Sequence, residues 1–276
     1  MNSMSQIASS LLGKKTIYSD IYNSNLLYPI NRIAQNRKIA MFGYDLWHAY
    51  ELSWLDLNCM PQVAVGNILY LSESSKLIES KSLKLYLNSF NNSKFVSKQS
   101  VINTITQDLS NALETDIFVE LFDLNSRFNI TTPNGICLDN IQLKIDNFDF
   151  NSRQKYLCVT GNEILSEKLY SNLLRSNCPI TNQPDWGTLI IEYRGRQLSH
   201  EQFLRYILSF RNHNDFHENC IENIYYELMN YCSPIQLKVY ANYTRRGGID
   251  INPYRSSELD FDLSKVLSSK NRFCRQ

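Results

Sequence analysis

The chain alternates short apolar runs suited to a pleated surface with longer runs suited to a helix. Runs rich in β-branched and aromatic residues fall at Gln62–Leu71, Asp116–Leu124, Asn140–Ile145, Gly187–Tyr193 and Ile235–Tyr243, and predict strands. Between them Leu83, Tyr86, Leu87 and Phe90 are spaced i, i+3, i+4, i+7, and Ile221, Ile224, Tyr225 and Leu228 repeat that spacing, which predicts helices with one apolar face. The segments Leu83–Phe90 (LKLYLNSF) and Phe203–Phe210 (FLRYILSF) share Tyr, Ser and Phe at one fixed offset. Two amphipathic helices can share three residues by chance, but each segment also precedes a second helix and then a strand, and that matching order favours an internal repeat. The expected fold class is α+β. Two tandem domains, residues 41–147 and 148–276, each carry an antiparallel sheet and a helix pair, with a polar junction near Asn147–Gln154 and an N-terminal arm over residues 1–40.

Composition narrows the function classes. A chain of 276 residues that is 43% hydrophobic buries a sizeable core, and 28 basic against 27 acidic residues leave no broad charge footprint. Direct nucleic-acid binding and attachment to an anionic membrane surface are therefore not expected. The seven cysteines are odd in number, scattered and without a C-x-x-C pair, which fits neither a disulfide framework nor a zinc ribbon and implies reduced thiols in a cytoplasmic setting. The first residues lack a basic n-region, and no stretch approaches the roughly 20 apolar residues of a membrane span.

Four segments could carry chemistry. In Asn177–Thr188 (NCPITNQPDWGT) two prolines restrain the backbone around Cys178 and Asp185, as a loop holding a nucleophile beside an acid would require, although a lone cysteine is more often a small buried hydrophobe. In Asp215–Cys220 (DFHENC) the spacing of Asp215 and Glu218 also suits a capping box. His213, His217 and Cys220 would share one helical face as zinc ligands if the helix ran through Asn214 and Asp215, which look like a break. In Glu79–Tyr86 (ESKSLKLY) Ser80 can cap a helix whose free N–H groups, with Lys81 and Lys84, would attract phosphate; a solvated basic face is the plainer alternative. Thr244–Gly248 (TRRGG) pairs arginines with flexible backbone, suiting phosphate or an ordinary surface turn. No G-x-G-x-x-G or Walker loop is present.

In this order, GYDLWHAYELSWL (43–55), PQVAVG (61–66), IESKSLKLYLNSFN (78–91), CPITNQPDWGT (178–188), FHE (216–218) and YTRRGGIDINP (243–253) resemble the two-domain form of the 7-cyano-7-deazaguanine reductases, the nitrile reductases of queuosine biosynthesis. The resemblance implies tandem tunnelling-fold domains, 7-cyano-7-deazaguanine as substrate, NADPH as cofactor, no metal, and a homodimer. It implies Cys178 as the nucleophile that forms a thioimidate, Asp185 as its proton donor and His217 as an aid to proton transfer. Glu79 and Glu218, with Ser80 and Phe216, are implied for the base, and Lys81, Ser82, Lys84, Arg245, Arg246 and Gly247 are the candidates for NADPH. The resemblance, not the spacing, decides against zinc and against an inert cysteine.

Overall fold

The computed structural model describes residues 18–32 and 39–276; the rest of the predicted arm, residues 1–17 and 33–38, lies outside the described residues. In chain order the elements are β1 (Pro29–Asn31), β2 (Phe42–Leu55), β3 (Pro61–Leu71), β4 (Lys76–Ile78), α1 (Ser80–Asn88), α2 (Lys98–Leu113), β5 (Ile117–Phe122), β6 (Asn129–Thr131) and β7 (Ile136–Cys137). The second half adds β8 (Val159–Asn177), β9 (Pro184–Leu198), α3 (His200–Ser209), α4 (His217–Cys232), β10 (Gln236–Tyr243), β11 (Ile249–Ser256), α5 (Leu263–Leu267) and β12 (Asn271–Phe273). Each half opens with a long hairpin, continues through two helices and closes with a further strand or hairpin. The fold is thus α+β with two tandem units, as the element order predicts, and the units are of the tunnelling-fold kind that the motif resemblance implies.

Eight strands form one sheet in the order β5-β3-β2-β11-β10-β9-β8-β7. The halves meet at the antiparallel pair β2–β11, in register from Phe42↔Ser256 to Ala49↔Ile249. Gly43 sits on this seam, where an added Cβ would stand 2.0 Å from the Tyr254 carbonyl oxygen, so the backbones approach more closely than any side chain permits. Two apolar cores result. One gathers α1, α2 and the seam residues Trp47, Ile249 and Ile251; the other gathers α3 and α4 on β8, β9 and β10.

The repeat seen in the sequence is also a repeat of contacts. Ser89 Oγ donates to the Tyr86 carbonyl and Ser209 Oγ to the Tyr206 carbonyl, each at 2.6 Å. The Tyr86 hydroxyl donates to Asp108 of α2 and the Tyr206 hydroxyl to Glu227 of α4, again each at 2.6 Å. Phe90 and Phe210 pack edge-on to those tyrosines in both halves. The shared Tyr, Ser and Phe therefore tie the first helix of each pair to the second. Tyr206→Phe is expected to cost about 1–3 kcal/mol, because Glu227 is left with one donor fewer in a half-buried site. Tyr86→Phe should cost a similar amount, since Asp108 keeps the Tyr22 hydroxyl at 2.7 Å much as Glu227 keeps Arg153 and Gln154; urea unfolding midpoints measure both.

One expected strand is missing, and the break read at Asn214 and Asp215 is present. Asn140–Ile145 is not a strand: a turn bonds the Ile141 amide to the Leu138 carbonyl, and Ile141 and Leu143 reach the second core without joining a ladder. His213, His217 and Cys220 do not share a helical face, because α4 begins at His217 and His213 lies in the extended segment before it. Among the described residues no helix is long and apolar enough to cross a membrane.

Candidate active site

A cavity of about 550 Å³ lies where the seam, α1, the β8–β9 loop and the N-terminus of α4 converge, within the roughly 300–1,000 Å³ usual for small-molecule sites. It brings together segments distant in sequence: Glu79, Ser80, Lys81 and Lys84 from the first half, and Cys178, Asp185, Phe216, His217, Glu218, Arg246 and Gly247 from the second. Ser82 and Arg245 are not among the residues that line it. Ser82 is turned into the core, where its hydroxyl donates to the Glu79 carbonyl and accepts from the Tyr28 amide. Arg245 points to solvent with its guanidinium 4.5 Å from the centre of the Tyr50 ring.

Cys178 follows directly on β8. Its amide donates to the Gln183 carbonyl at 2.8 Å and its carbonyl accepts from the Asn182 amide at 3.0 Å, closing the loop into a tight turn. Its thiol is partly exposed and unbridged. Asp185 is buried near the start of β9, with Oδ1 2.9 Å from Arg246 Nη1 and Oδ2 3.8 Å from His217 Nε2. His217 is the first residue of α4 and packs its ring edge-on to Tyr243 with centroids 4.0 Å apart. Burial lowers the His217 pKa below the ordinary imidazole value and outweighs the opposing pull of Asp185, with Arg246 adding to the fall. The imidazole is accordingly neutral at neutral pH.

Glu218 lies in the first turn of α4, 1% exposed, and its Oε1 has no hydrogen-bond partner among the described residues. It does not cap the helix through a capping box: the N-cap is Phe216, with no side-chain cap bond, and Asp215 Oδ1 instead accepts from the Phe216 amide and Asn219 Nδ2. Behind it lies a buried cluster in which Arg32 and Arg255 each pair with both Asp45 and Glu222. Burial first, and then the charge of Asp45, push the Glu218 carboxyl up to about 8, against the opposing effect of Arg32.

Glu79, not Ser80, caps α1. Its two carboxylate oxygens accept the Lys81 and Ser82 amides at 2.8 and 2.7 Å. The expectation that free N–H groups at this helix end meet phosphate is thereby corrected, because Glu79 already occupies those two amides. Burial still raises the Glu79 pKa despite these bonds. Cationic chemistry at the cavity rests on side chains instead: Lys81, Lys84 and Arg246. Gly247, at φ +55°, approaches Lys84 so closely that an added Cβ would stand 2.8 Å from Nζ. Lys81, Lys84 and Arg246 are the cationic side chains on the cavity wall that could hold an anionic group.

The sequence reading missed Trp47, Tyr243 and Asp250, which also line the cavity. Trp47 and Tyr243 lie within conspicuous motifs, but only strand pairing across the seam and beside β9 shows that they meet.

Residues 18–121 match the family model described as "Nitrile reductase, 7-cyano-7-deazaguanine-reductase N-term", and residues 184–260 match that described as "QueF-like protein". Among solved structures the chain is similar to the archaeosine synthase QueF-Like in its apo form, at 20% identity and a TM-score of 0.31, over 37% of this chain and all of the other.

Proposed function

Since the chain belongs to the nitrile reductase family of queuosine biosynthesis, we propose that it reduces the nitrile of 7-cyano-7-deazaguanine to the aminomethyl group in the cytoplasm, as a homodimer with NADPH as cofactor. The observation that carries this reading is one cavity holding a partly exposed thiol, a carboxylate–imidazole pair and a buried carboxylate with an unpaired oxygen. Residues 41–147 and 148–276 act as the two domains that share it.

Glu218 and Glu79 accept the N–H groups on the guanine-like edge of the base, for which paired carboxylate oxygens are suited. With the base so oriented, the Cys178 thiol gives its proton to the Asp185 carboxylate as its sulfur attacks the nitrile carbon: a carbon–sulfur bond forms and one carbon–nitrogen π pair moves onto nitrogen. Asp185 protonates that nitrogen, and the neutral imidazole of His217, 3.8 Å away, takes part in the proton's return. The result is a thioimidate on Cys178. When bound, NADPH would supply the hydrides for the two reductions that lead to the amine, and between them the carbon–sulfur bond breaks with its electron pair returning to the Cys178 sulfur. Arg246 holds Asp185 in place, and Lys81 and Lys84, on the cavity wall, would hold the cofactor phosphates.

The test is to mix the protein with the nitrile and NADPH and follow NADPH absorbance alongside the amine product. A nitrile-to-amine change consumes four electrons, so the expected ratio is two NADPH per amine. A ratio of one would rule out full reduction.

A further inference from the structure

The loop that carries Cys178 is tied to the segment before α4 by the side chain of Asn214. Asn214 lies in the extended segment before α4, and its two amide atoms reach both ends of the loop. Its Oδ1 accepts from Asn177 Nδ2 at 3.2 Å, next to the cysteine, and its Nδ2 donates to Asn182 Oδ1 at 2.8 Å, at the loop's far end. Asn182 holds a left-handed backbone at φ +55°, which turns the loop back so that its amide reaches the Cys178 carbonyl. The backbone repeats the link: the Asn177 amide donates to the His213 carbonyl at 2.8 Å and the Asp215 amide to the Asn177 carbonyl at 3.1 Å. The segment is itself held, since the His213 ring stacks on Phe150 with centroids 3.5 Å apart and planes 7° from parallel. Three residues after Asn214 comes His217, and then Glu218.

We propose that Asn214 is a positioning residue for the nucleophile. It sets the Cys178 loop against the helix start that carries His217 and Glu218, so that the thiol meets the carbon of a base already held by its far edge. Asn214 touches neither base nor thiol in this role; it acts through Asn177 and Asn182. Both it and Asn182 are exposed, so their bond contributes little to stability, and its loss should appear in the rate of attack. The inference rests on the assignment of Cys178 made above.

The test compares wild type, Asn214→Ala, Asn182→Gly and the double variant. Glycine keeps the left-handed backbone at 182 and removes only the side-chain link. Two rates are read: appearance of the 7-cyano-7-deazaguanine adduct by intact mass without NADPH, and alkylation of Cys178 by iodoacetamide followed by peptide mapping. Affinity for 7-deazaguanine, which lacks the nitrile, is measured in parallel. Asn214→Ala is expected to slow the adduct about 10- to 100-fold with affinity for the nitrile-free base within about twofold of wild type, as a misplaced reactant should. Asn182→Gly should show part of the loss, and the double variant should be no slower than Asn214→Ala, since both act on one link. Alkylation should quicken as the loop is released. A wild-type adduct rate in Asn214→Ala overturns the proposal, and so does a matching loss of base affinity with additive penalties, which marks a general structural defect. If wild type forms no adduct at all, the reductase reading fails, and an alkylation rate unchanged by Asn214→Ala then sinks the positioning role by itself.

Discussion

Mixed with 7-cyano-7-deazaguanine in the absence of NADPH, the wild-type protein should gain the mass of one substrate molecule, with the added mass mapping to Cys178. No hydride is then available to discharge the thioimidate, so the adduct accumulates. Cys178→Ala should show no adduct and lose turnover by at least about a thousandfold, the scale on which removal of a covalent nucleophile acts. It should still bind the base, because recognition is assigned to Glu218 and Glu79 on other elements. Asp185→Asn should form the same adduct more slowly, for want of a proton donor to the nitrogen. The other six cysteines are an internal control: Cys220 and Cys232 are buried, Cys137 is partly exposed in β7, and Cys59, Cys158 and Cys274 are exposed, all six away from the cavity lining. A Cys178→Ala protein that reduces the nitrile at the normal rate would leave direct hydride transfer as the mechanism.

The second large effect belongs to Glu218 and depends on pH. Its carboxyl is raised to about 8 by burial and by Asp45, whereas in the unfolded chain it titrates in the ordinary carboxylate range. Below that range both states hold the proton and the group does not oppose folding. Between that range and about pH 8 only the unfolded chain gives the proton up, so stability falls as pH rises and the loss is complete above the folded value. Glu218→Gln removes this dependence, and without ligand the variant should exceed wild type by about 3–5 kcal/mol at pH 9 while differing little at pH 4, on the scale of about 1.4 kcal/mol per pKa unit. Urea unfolding at a series of pH values measures it. Ligand reverses the order. The base offers N–H donors to the anion, so binding should release a proton near neutral pH and tighten as pH rises towards 8. Glu218→Gln should weaken that binding by about 1.5–3 kcal/mol, because the amide turns a donor towards donors. Equal stability of the two proteins at every pH would mean that the carboxyl is not desolvated in solution.

How legible this was in the sequence varies with the kind of residue. The helix pairs could be read because Leu83, Tyr86, Leu87 and Phe90 face one core and polar residues face away. β11 was not read as a strand, although Ile249, Asp250 and Ile251 alternate. Its polar face is buried too: Asp250 meets the Tyr50 hydroxyl at 2.6 Å and Asn252 bonds to Gln276 of the C-terminal segment, so its polar residues gave no sign of a core. Pro253 further disguised it, standing opposite Asp45 in the middle of the register. β8 hid for the opposite reason, since much of its first half is exposed. Among site residues, Cys178, Asp185, His217 and Glu218 were reached through motif resemblance. Periodicity alone left the cysteine and the zinc spacing open. The helix cap was misassigned because Ser80 is the commoner capping type, while Glu79 can bond two amides at once from the preceding position. Asn214 carried no signal, for an asparagine in a polar turn looks the same whether or not it spans a loop.

The β2–β11 seam bears on how the cavity is populated. Glu79 and Lys84 stand on one side of it and Cys178, Asp185 and Glu218 on the other, and both sides belong to one covalent chain joined by one continuous ladder. Bringing these two walls together is therefore a unimolecular event, governed by the folding equilibrium of the chain and not by mass action between separate copies. Dilution leaves the juxtaposition of these walls intact, and a substitution that weakens the ladder, such as a side chain at Gly43, acts on both walls at once.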